Sequence, residues 1–473
     1  MIKNIIYIFL ILLLLLSYSS VSSTVNKDSM FILIFLVFGN ILFFALAKEK
    51  IFSLKRQYMK HSTFVLLGFI IVHFQYYIDY LLGNVTIGNS YIWINIDVIV
   101  KSMLVSTLGL TAFLYGYSLL SDNLKKNNQF VSETFKEVKL LLIIATISLV
   151  VFFINVNPLY LAGFYGSEDM GPIATYAILI FTLNVFAIIL QNCRNMVLTK
   201  KIPKNFKEYI QKQGYLLLFL IGLYLLSVMI SGDRGPIIIF GISYFSGYFF
   251  VTKKKLNLKY TVLFLFAGAV IITSLGEIRR LDKNLDFSSK LQESIKNEKV
   301  HYETSFLPQT QELAGSVRTV HATIDYIPQK HDFLYGRFQF QQIVSSIPFF
   351  SPFLYLIFEN HHQKYLGSSA FVTWINQGDF PTSGDGTSCI ADLFFDFGII
   401  GVLVGMLLFG YFIRFLEISM YSNSLPSLIV HIFGLVYLSN AIYISRSTIL
   451  FDLRTVVWIF IILYINKYFF QKK

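Results

Sequence analysis

Long apolar stretches recur along almost the whole chain, and this feature constrains its fold more than any other. A helix needs about 20 mostly apolar residues to cross a bilayer. The chain is 55% hydrophobic and 14% charged, whereas soluble proteins contain about 25% charged residues. This composition excludes a cytosolic enzyme, a secreted disulfide scaffold and a disordered chain. We predict an all-α, polytopic integral membrane protein with about twelve transmembrane helices, at 5–22, 30–47, 63–82, 97–119, 140–155, 173–193, 214–231, 236–251, 260–276, 390–413, 425–443 and 449–466.

The distribution of lysine and arginine predicts how these helices are oriented. Loops rich in these residues stay in the cytoplasm. The basic clusters at 48–60, 125–139, 194–212 and 253–259 fall on one side of the predicted bundle, together with both termini. We therefore predict cytoplasmic termini. The net charge of +12 is explained by anchoring at the cytoplasmic leaflet, so it does not indicate a nucleic-acid partner.

The first apolar stretch allows two interpretations. Lys3, the apolar run that follows it and the small residues at 17–23 fit a cleaved signal peptide. An uncleaved first helix is favoured, because many further spans follow.

The predicted spans divide the chain into three parts. Residues 1–276 hold helices one to nine, residues 277–389 form a large extracytoplasmic loop, and residues 390–473 hold helices ten to twelve. The loop contains five of the eight histidines and many aromatic residues. Aromatic faces beside carboxylates and arginines suit a sugar with anionic groups. The alternative is a small folded cap whose aromatic side chains form its own core.

One apolar segment within this loop, residues 343–358, is long enough to suggest a thirteenth span. Pro348 and Pro352 interrupt it and disfavour a continuous helix. A thirteenth span would also move the lysine-rich C-terminus to the outer side. We predict a re-entrant or interfacial segment.

Three arginines are candidates for binding an anion at the outer surface. Arg234 lies in the turn SGDRGP, at residues 231–236, close to the start of the next helix. A guanidinium beside free backbone N–H groups can bind phosphate. Arg279 and Arg280 follow the ninth span and run against the positive-inside trend. The alternatives are a lipid-headgroup contact for Arg234 and salt bridges to nearby carboxylates for the other two.

A further candidate group lies in the loop. If residues 316–326 are helical, then Arg318, His321 and Asp325 are spaced to share one face. Such a cation, imidazole and carboxylate could bind phosphate and deprotonate a hydroxyl group. The alternative is a solvated helix face with one ion pair.

The end of the loop holds a glycine-rich segment. Gly384 and Gly386 suggest a chain pressed close to another group, such as a ligand. Asp392 and Asp396 then follow at helical spacing in the predicted tenth span, where acidic side chains are usually functional. The alternative is that they pair with basic residues of the bundle, namely Lys101 or Arg454.

Motifs for metals and nucleotides do not occur in the sequence. Cys193 and Cys389 are predicted at opposite membrane faces, too far apart to form a disulfide, and neither has the spacing of a zinc ligand. There is no P-loop, nucleotide fingerprint, HExxH or GxSxG sequence. We predict a metal-independent protein without a cofactor.

Taken in order, these motifs resemble those of the O-antigen polymerases of the Wzy type, which polymerise oligosaccharide repeat units in bacterial envelopes. The matching elements are the SGDRG turn, the IRR sequence after the ninth span and the large loop. The loop sequence IDYIPQKHDFLYGRFQFQQIVSSIPFF and the following GDGTSCIADLFFDFGIIGVLVG also resemble the family. The likeness extends from about residue 214 to residue 410. Family members often have glutamate where this chain has Asp392.

The resemblance implies a glycosyltransferase fold for lipid-linked sugars in the bacterial cytoplasmic (inner) membrane. It implies undecaprenyl-pyrophosphate-linked oligosaccharides as donor and acceptor, and a chain-length regulator is a further candidate partner. Arg234, Arg279, Arg280 and Arg318 would bind the donor pyrophosphate, because the leaving group needs fixed cations. His321 or Asp325 would be the base. Asp392, Gly384 and Gly386 are expected to bind substrate.

Three other functions were weighed against a polymerase. A ligase would use the same architecture to move the glycan to another envelope acceptor. A flippase or transporter would have charged residues near the middle of many spans, whereas most ionisable residues here are predicted at the outer ends or in the loop. A purely structural membrane protein would leave the large loop unexplained.

Overall fold

A computed structural model describes most of the chain as helix, and no strand occurs in the part that it describes. The described residues are 2–21, 25–46, 57–87, 92–93, 95–120, 138–161, 170–231, 233, 235–256, 259, 268, 305–358, 362–422 and 424–470.

Fifteen helices of eight or more residues are labelled α1 to α15 within these ranges. They are α1 (Ile2–Ser20), α2 (Lys27–Ala45), α3 (His61–Leu81), α4 (Ile99–Leu119), α5 (Lys139–Asn155), α6 (Pro172–Leu198), α7 (Phe206–Gln213), α8 (Tyr215–Ser231), α9 (Gly235–Thr252), α10 (Val317–Tyr326), α11 (Arg337–Ser346), α12 (Ser368–Gln377), α13 (Cys389–Tyr421), α14 (Leu428–Asn440) and α15 (Leu453–Phe470). Shorter helical pieces are Ile96–Val98, Pro158–Leu161, Pro308–Thr310, Gln311–Ala314, Ser351–Phe353, Leu354–Ile357, Gln363–Leu366 and Tyr443–Arg446.

Several of these helices can cross a membrane. Seven of the described helices are long and apolar enough, namely α1, α2, α3, α4 with the turn before it, α6, α9 and α13. An eighth arises if α7 and α8, which meet at 91°, form one span. The shorter α5 and α14 are also apolar. The all-helical, multi-span architecture is therefore confirmed. The number of twelve stays a prediction, because the predicted span 260–276 lies almost wholly outside the described residues.

The bundle of helices has two opposite ends. We call the end that carries residues 305–388 the loop face. At the end of α3, Asp79 accepts a 2.8 Å hydrogen bond from the hydroxyl of Ser305. Just before α15, the hydroxyl of Thr448 contacts the Oε1 atom of Gln342 in α11 at 2.5 Å. The described loop is thus attached directly to the ends of the membrane helices.

The other end, the opposite face, contains the connections that are rich in lysine. The side chain of Gln57 donates a 2.9 Å hydrogen bond to the backbone carbonyl of Lys254. Ser118, at the end of α4, bonds to Asn4 near the start of α1 at 3.1 Å. The helix α1 therefore begins at this face and α4 ends there, as expected for helices that cross in alternating directions.

The centre of the bundle is formed by α4 and α13. In the apolar stretch of α4, 89% of the residues are buried, against 17% for α1. Gly116 and Gly410 allow the two helices to approach closely: an added Cβ atom would lie 1.9 Å from the carbonyl oxygen of Leu407 and 2.0 Å from that of Phe113, respectively. Glycines at such contacts let transmembrane helices pack backbone to backbone.

Helix α13 is broken, which differs from the single span 390–413 expected from the sequence. Phe397 and Gly398 have non-helical backbone angles, and Gly398 adopts a positive φ of 60°. In an unbroken helix, Leu393 and Gly405 would be about 18 Å apart along the axis. Here a Cβ atom on Gly405 would lie 2.5 Å from the side chain of Leu393. The first turns, residues 389–396, therefore fold back along the rest of α13.

The described loop residues form a small cap with its own aromatic core. Phe338 of α11, Phe371 of α12 and Phe395 of α13 are fully buried. Their ring centroids lie 5.1 to 5.9 Å apart. Tyr335 and Phe380, in contrast, are 74% and 93% exposed. Some of the loop aromatics thus build the cap itself, as the alternative interpretation of the sequence proposes.

Candidate functional site

His321 lies in α10 and is fully buried against the bundle. Its Nε2 atom is 2.8 Å from the hydroxyl of Tyr77 in α3, and its Nδ1 atom is 3.3 Å from the carbonyl oxygen of Ile92. Because a carbonyl oxygen only accepts, Nδ1 carries the proton and Nε2 accepts from Tyr77. The ring also stacks on Trp93, with centroids 5.6 Å apart. Burial lowers the pKa of His321 to about 4, so the imidazole is neutral at pH 7.

Asp325 lies one turn further along the same helix and is partly exposed. Its carboxylate receives hydrogen bonds from the amide of Asn95 and from the ammonium group of Lys330, the latter at 2.7 Å. Partial burial opposes ionisation, but the hydrogen bonds from Lys330 and Asn95 outweigh it and hold the pKa of Asp325 below its ordinary value. Asp325 is therefore a carboxylate at neutral pH.

Arg318 points to a different part of the cap. It forms a salt bridge with Asp385, which lies 67 residues later in the glycine-rich segment. The side chain of Asp385 is only 4% exposed, whereas that of Arg318 is 25% exposed. The amides of Asn376 and Gln377 each donate a 3.1 Å hydrogen bond to the other carboxylate oxygen. The pair thus presents its cationic side to the solvent and keeps its acidic side buried.

The two predicted glycines flank this carboxylate. Gly386 has a positive φ of 75°, which glycine adopts at little cost. The backbone N–H of Asp385 donates a 3.0 Å hydrogen bond to the hydroxyl of Thr373 in α12. This bond to α12 holds Asp385 beside Arg318. A Cβ atom on Gly384 or Gly386, however, would meet no other part of the described protein within 4 Å, so the close approach expected at these two glycines is not made by the protein itself. The sequence predicted the arginine and the glycines separately, and the structure brings them together.

Asp392 is fully buried in the folded-back part of α13. It accepts hydrogen bonds of 3.1 and 3.0 Å from the side chains of Gln339 and Gln342 in α11. Asp396, one turn later, accepts hydrogen bonds of 3.2 and 3.0 Å from the backbone N–H groups of Phe338 and Gln339, and so caps the start of α11. Asp392 and Asp396 are thus bound by groups of α11, and not by the basic residues that the sequence offered as alternative partners. One of those residues, Lys101, lies over the ring of Tyr18 instead.

The other three predicted arginines, Arg234, Arg279 and Arg280, lie outside the described residues. The turn that contains Arg234 is seen on both sides of it. There the carboxylate of Asp233 accepts a 3.1 Å hydrogen bond from the backbone N–H of Gly235. Asp233 lies between α8 and α9, and Gly235 is the first residue of α9.

Several residues of this region escaped the sequence analysis. Asp385, Gln339 and Gln342 carry the hydrogen-bond networks just described. They lie in the stretches quoted above for their resemblance to the family, yet the sequence assigned a role to none of them. The guanidinium of Arg337 lies between two aromatic rings, 4.4 Å from that of Phe358 and 4.3 Å from that of Tyr365. The only available signal was the density of polar residues in GRFQFQQ, within an otherwise apolar region.

Within the described ranges, no group of three or more His, Cys, Asp or Glu side chains has the arrangement of a metal site. Metal independence therefore stays a prediction.

The site thus combines two arrangements at the loop face. A partly exposed arginine is fixed by a buried carboxylate, and an ionised aspartate lies on the same helix. These groups can stabilise an anionic leaving group and accept a proton.

Comparison with protein families finds a match for this chain. The family model described as O-antigen polysaccharide polymerase Wzy matches residues 2–473. No curated protein and no solved structure matches the chain.

Proposed function

The chain belongs to the Wzy family of O-antigen polysaccharide polymerases, and on this premise we propose that it polymerises undecaprenyl-pyrophosphate-linked oligosaccharide repeat units. The family assignment supports a polymerase that acts in O-antigen synthesis. The apolar helices support an integral membrane protein. The finer steps described below are our proposal.

In the proposed reaction, the growing glycan moves as a block from its lipid carrier to a new lipid-linked repeat unit. The bond between the anomeric carbon of the donor and the pyrophosphate oxygen breaks. A bond from that carbon to a hydroxyl oxygen of the acceptor sugar forms. Undecaprenyl pyrophosphate leaves with the electron pair, and the hydroxyl proton passes to a base. The reaction needs no nucleotide, because the activated bond arrives with the donor.

Arg318 is the proposed ligand of the donor pyrophosphate, and this assignment carries the mechanism. The observation that supports it is the salt bridge with Asp385, which fixes a partly exposed guanidinium at the loop face. A fixed cation stabilises the charge that develops on the leaving group without reorganising during the reaction. We propose that Arg234, Arg279 and Arg280 complete this cationic site.

Asp325 is the preferred candidate for the base. It is ionised at neutral pH, and its side chain is 16% exposed. His321 is a weaker candidate, because both of its nitrogen atoms are engaged and the side chain is fully buried. We propose that His321 instead fixes α10 to Tyr77 and thereby positions Asp325 and Arg318.

The acceptor is proposed to bind between the glycine-rich segment and α11. Gly384 and Gly386 have no side chains to hinder a sugar at that segment. Asp392 is buried, so we propose that it acts through Gln339 and Gln342, which it holds in place. The amide groups of these glutamines suit sugar hydroxyls.

The proposed topology places the loop face on the outer side of the cytoplasmic (inner) membrane. Lysine-rich connections at the opposite face support this orientation, with both termini in the cytoplasm. We retain twelve spans, with residues 1–276 and 390–473 in the membrane and residues 277–389 as the outer loop. A chain-length regulator is proposed as a partner on that side.

Deletion of the gene in its host tests the proposed function. Loss of the polymerase is expected to leave surface glycan that carries a single repeat unit, and the wild-type gene should restore the ladder on a gel. Complete loss of repeat units from the surface would contradict the proposal and indicate a ligase or a flippase.

A further inference from the structure

An apolar hairpin projects from the cap between α11 and α12. The chain leaves α11 at Ser346 and returns to it at Phe358. There the ring of Phe358 meets that of Phe340 at 6.2 Å, and the guanidinium of Arg337 lies 4.4 Å from the same ring. Both ends of the hairpin are therefore held at α11.

The side chains of this hairpin are unusually exposed for their type. Phe349 is 92% exposed and Leu356 is 81% exposed, while Phe350 and Phe353 are about half exposed. The sequence from 343 to 358 contains no charged residue. Contiguous apolar patches of this kind on a folded protein mark an interaction surface.

The base of the hairpin lies beside the membrane helices. Helix α11 packs against α15 and α13, and Gln342 contacts Thr448, five residues before the start of α15. The outward sides of those two helices are also apolar, with Leu408 of α13 59% exposed and Tyr464 of α15 61% exposed. The hairpin therefore continues a surface that faces lipid.

We propose that residues 347–357 are a membrane anchor, whose side chains enter the acyl chains of the leaflet at the loop face. Lipid fits this surface better than a protein partner. The hairpin lacks charged groups that would specify a protein contact. Once the hairpin enters the leaflet, Arg337 at its base would lie near the phospholipid headgroups, which a guanidinium can contact.

The anchor would also set the position of the candidate site. Helix α11 carries Gln339 and Gln342, which hold Asp392. A hairpin fixed in the leaflet therefore fixes these side chains at a constant height above the bilayer. The anchor itself does not depend on the proposed polymerase activity.

Spin labels introduced at single cysteines test the anchor. The native Cys193 and Cys389 are 1% exposed each, so a thiol reagent should label an introduced surface cysteine, and the unmutated protein reports the background. The variants are Leu356→Cys and Phe353→Cys, in the full chain reconstituted into phospholipid vesicles. Leu408→Cys is the membrane control. Phe380→Cys, 93% exposed in the same cap but outside the hairpin, is the aqueous control.

The depth of each label in the bilayer is obtained from two collision rates. One is the rate with oxygen, which concentrates in lipid, and the other is the rate with a water-soluble nickel chelate. Labels at residues 353 and 356 should collide with oxygen as the label at residue 408 does, while the label at residue 380 collides with the chelate. Labels in the hairpin that behave like residue 380 would overturn the proposal. A loss of collisions between the hairpin labels and oxygen, on adding one polyprenyl phosphate per protein, would also overturn the proposal. The hairpin would then bind the carrier lipid and not the bilayer.

Discussion

Neutralising Arg318 should remove most of the polymerase activity while leaving the protein folded. If its guanidinium stabilises the departing pyrophosphate, Arg318→Gln should lower the rate of polymerisation about 100- to 1000-fold, the usual effect of losing one fixed donor to a developing anion. Arg318→Lys should retain an intermediate rate, because an ammonium group keeps the charge but loses the planar set of donors.

The same substitution should affect stability only slightly. The salt bridge with Asp385 is partly exposed on the arginine side, and the amide of the introduced glutamine can still donate a hydrogen bond to the buried carboxylate. The loss of the ion pair should therefore cost about 1 kcal/mol. Asp385→Asn should cost more, because the carboxylate also accepts hydrogen bonds from Asn376 and Gln377, each worth about 1 kcal/mol. Arg318→Gln should therefore lower the activity much more than the stability, whereas Asp385→Asn should lower both.

The assay measures the release of undecaprenyl pyrophosphate from a lipid-linked repeat unit, with protein amounts equalised. Arg446→Gln is the control, because Arg446 also forms an ion pair at the same face, with Glu312 at 3.8 Å and both side chains about one third exposed, and has no proposed role. An Arg318→Gln rate close to that of Arg446→Gln would refute the assignment of Arg318.

Three further predictions concern the base, the packing of the bundle and the absence of a metal. With Asp325 as the base, the rate should fall only below the ordinary carboxylate range, because its pKa is lowered, and the same fall should persist in His321→Gln; an acid limb near pH 4, the lowered pKa of His321, that is lost in His321→Gln would assign the base to His321 instead. Gly410→Ala should sharply reduce the amount of folded protein in membranes, since the new Cβ atom would lie 2.0 Å from the carbonyl oxygen of Phe113, whereas Gly241→Ala, with no atom within 4 Å, should be tolerated; equal amounts of both would show that the two helices can separate. Treatment with EDTA, followed by metal-free buffer, should leave the purified enzyme's rate unchanged, and recovery of a lost rate by added Mg²⁺ or Mn²⁺ would contradict metal independence.

The helical, membrane-spanning nature of the fold could be predicted because each apolar stretch is a local signal. The break in α13 could not, since it depends on contacts between distant residues. Gly398 has a positive φ, and a side chain there would lie 2.9 Å from the ring of Phe333, 65 residues earlier. The sequence stays apolar through residues 390–413, on both sides of the break, so it gives no sign that the chain reverses direction there.

The candidate site was predicted in parts. Arg318 and the glycines on either side of Asp385 were predicted separately, but the 67-residue separation concealed that Arg318 and Asp385 form one ion pair. For His321, helical spacing indicated a shared face with Arg318 and Asp325. Its burial against Tyr77, 244 residues earlier, is a tertiary contact that a single sequence does not reveal.

The proposed polymerase moves the growing glycan as a block from one lipid carrier to the next lipid-linked unit. A pulse of labelled lipid-linked repeat units, followed by an unlabelled chase, tests it with the purified protein in vesicles. Sequential trimming from the non-reducing end then locates the label. Block transfer should place the label in the units farthest from the lipid, because each new unit enters next to the carrier. Label that stays beside the lipid would contradict it.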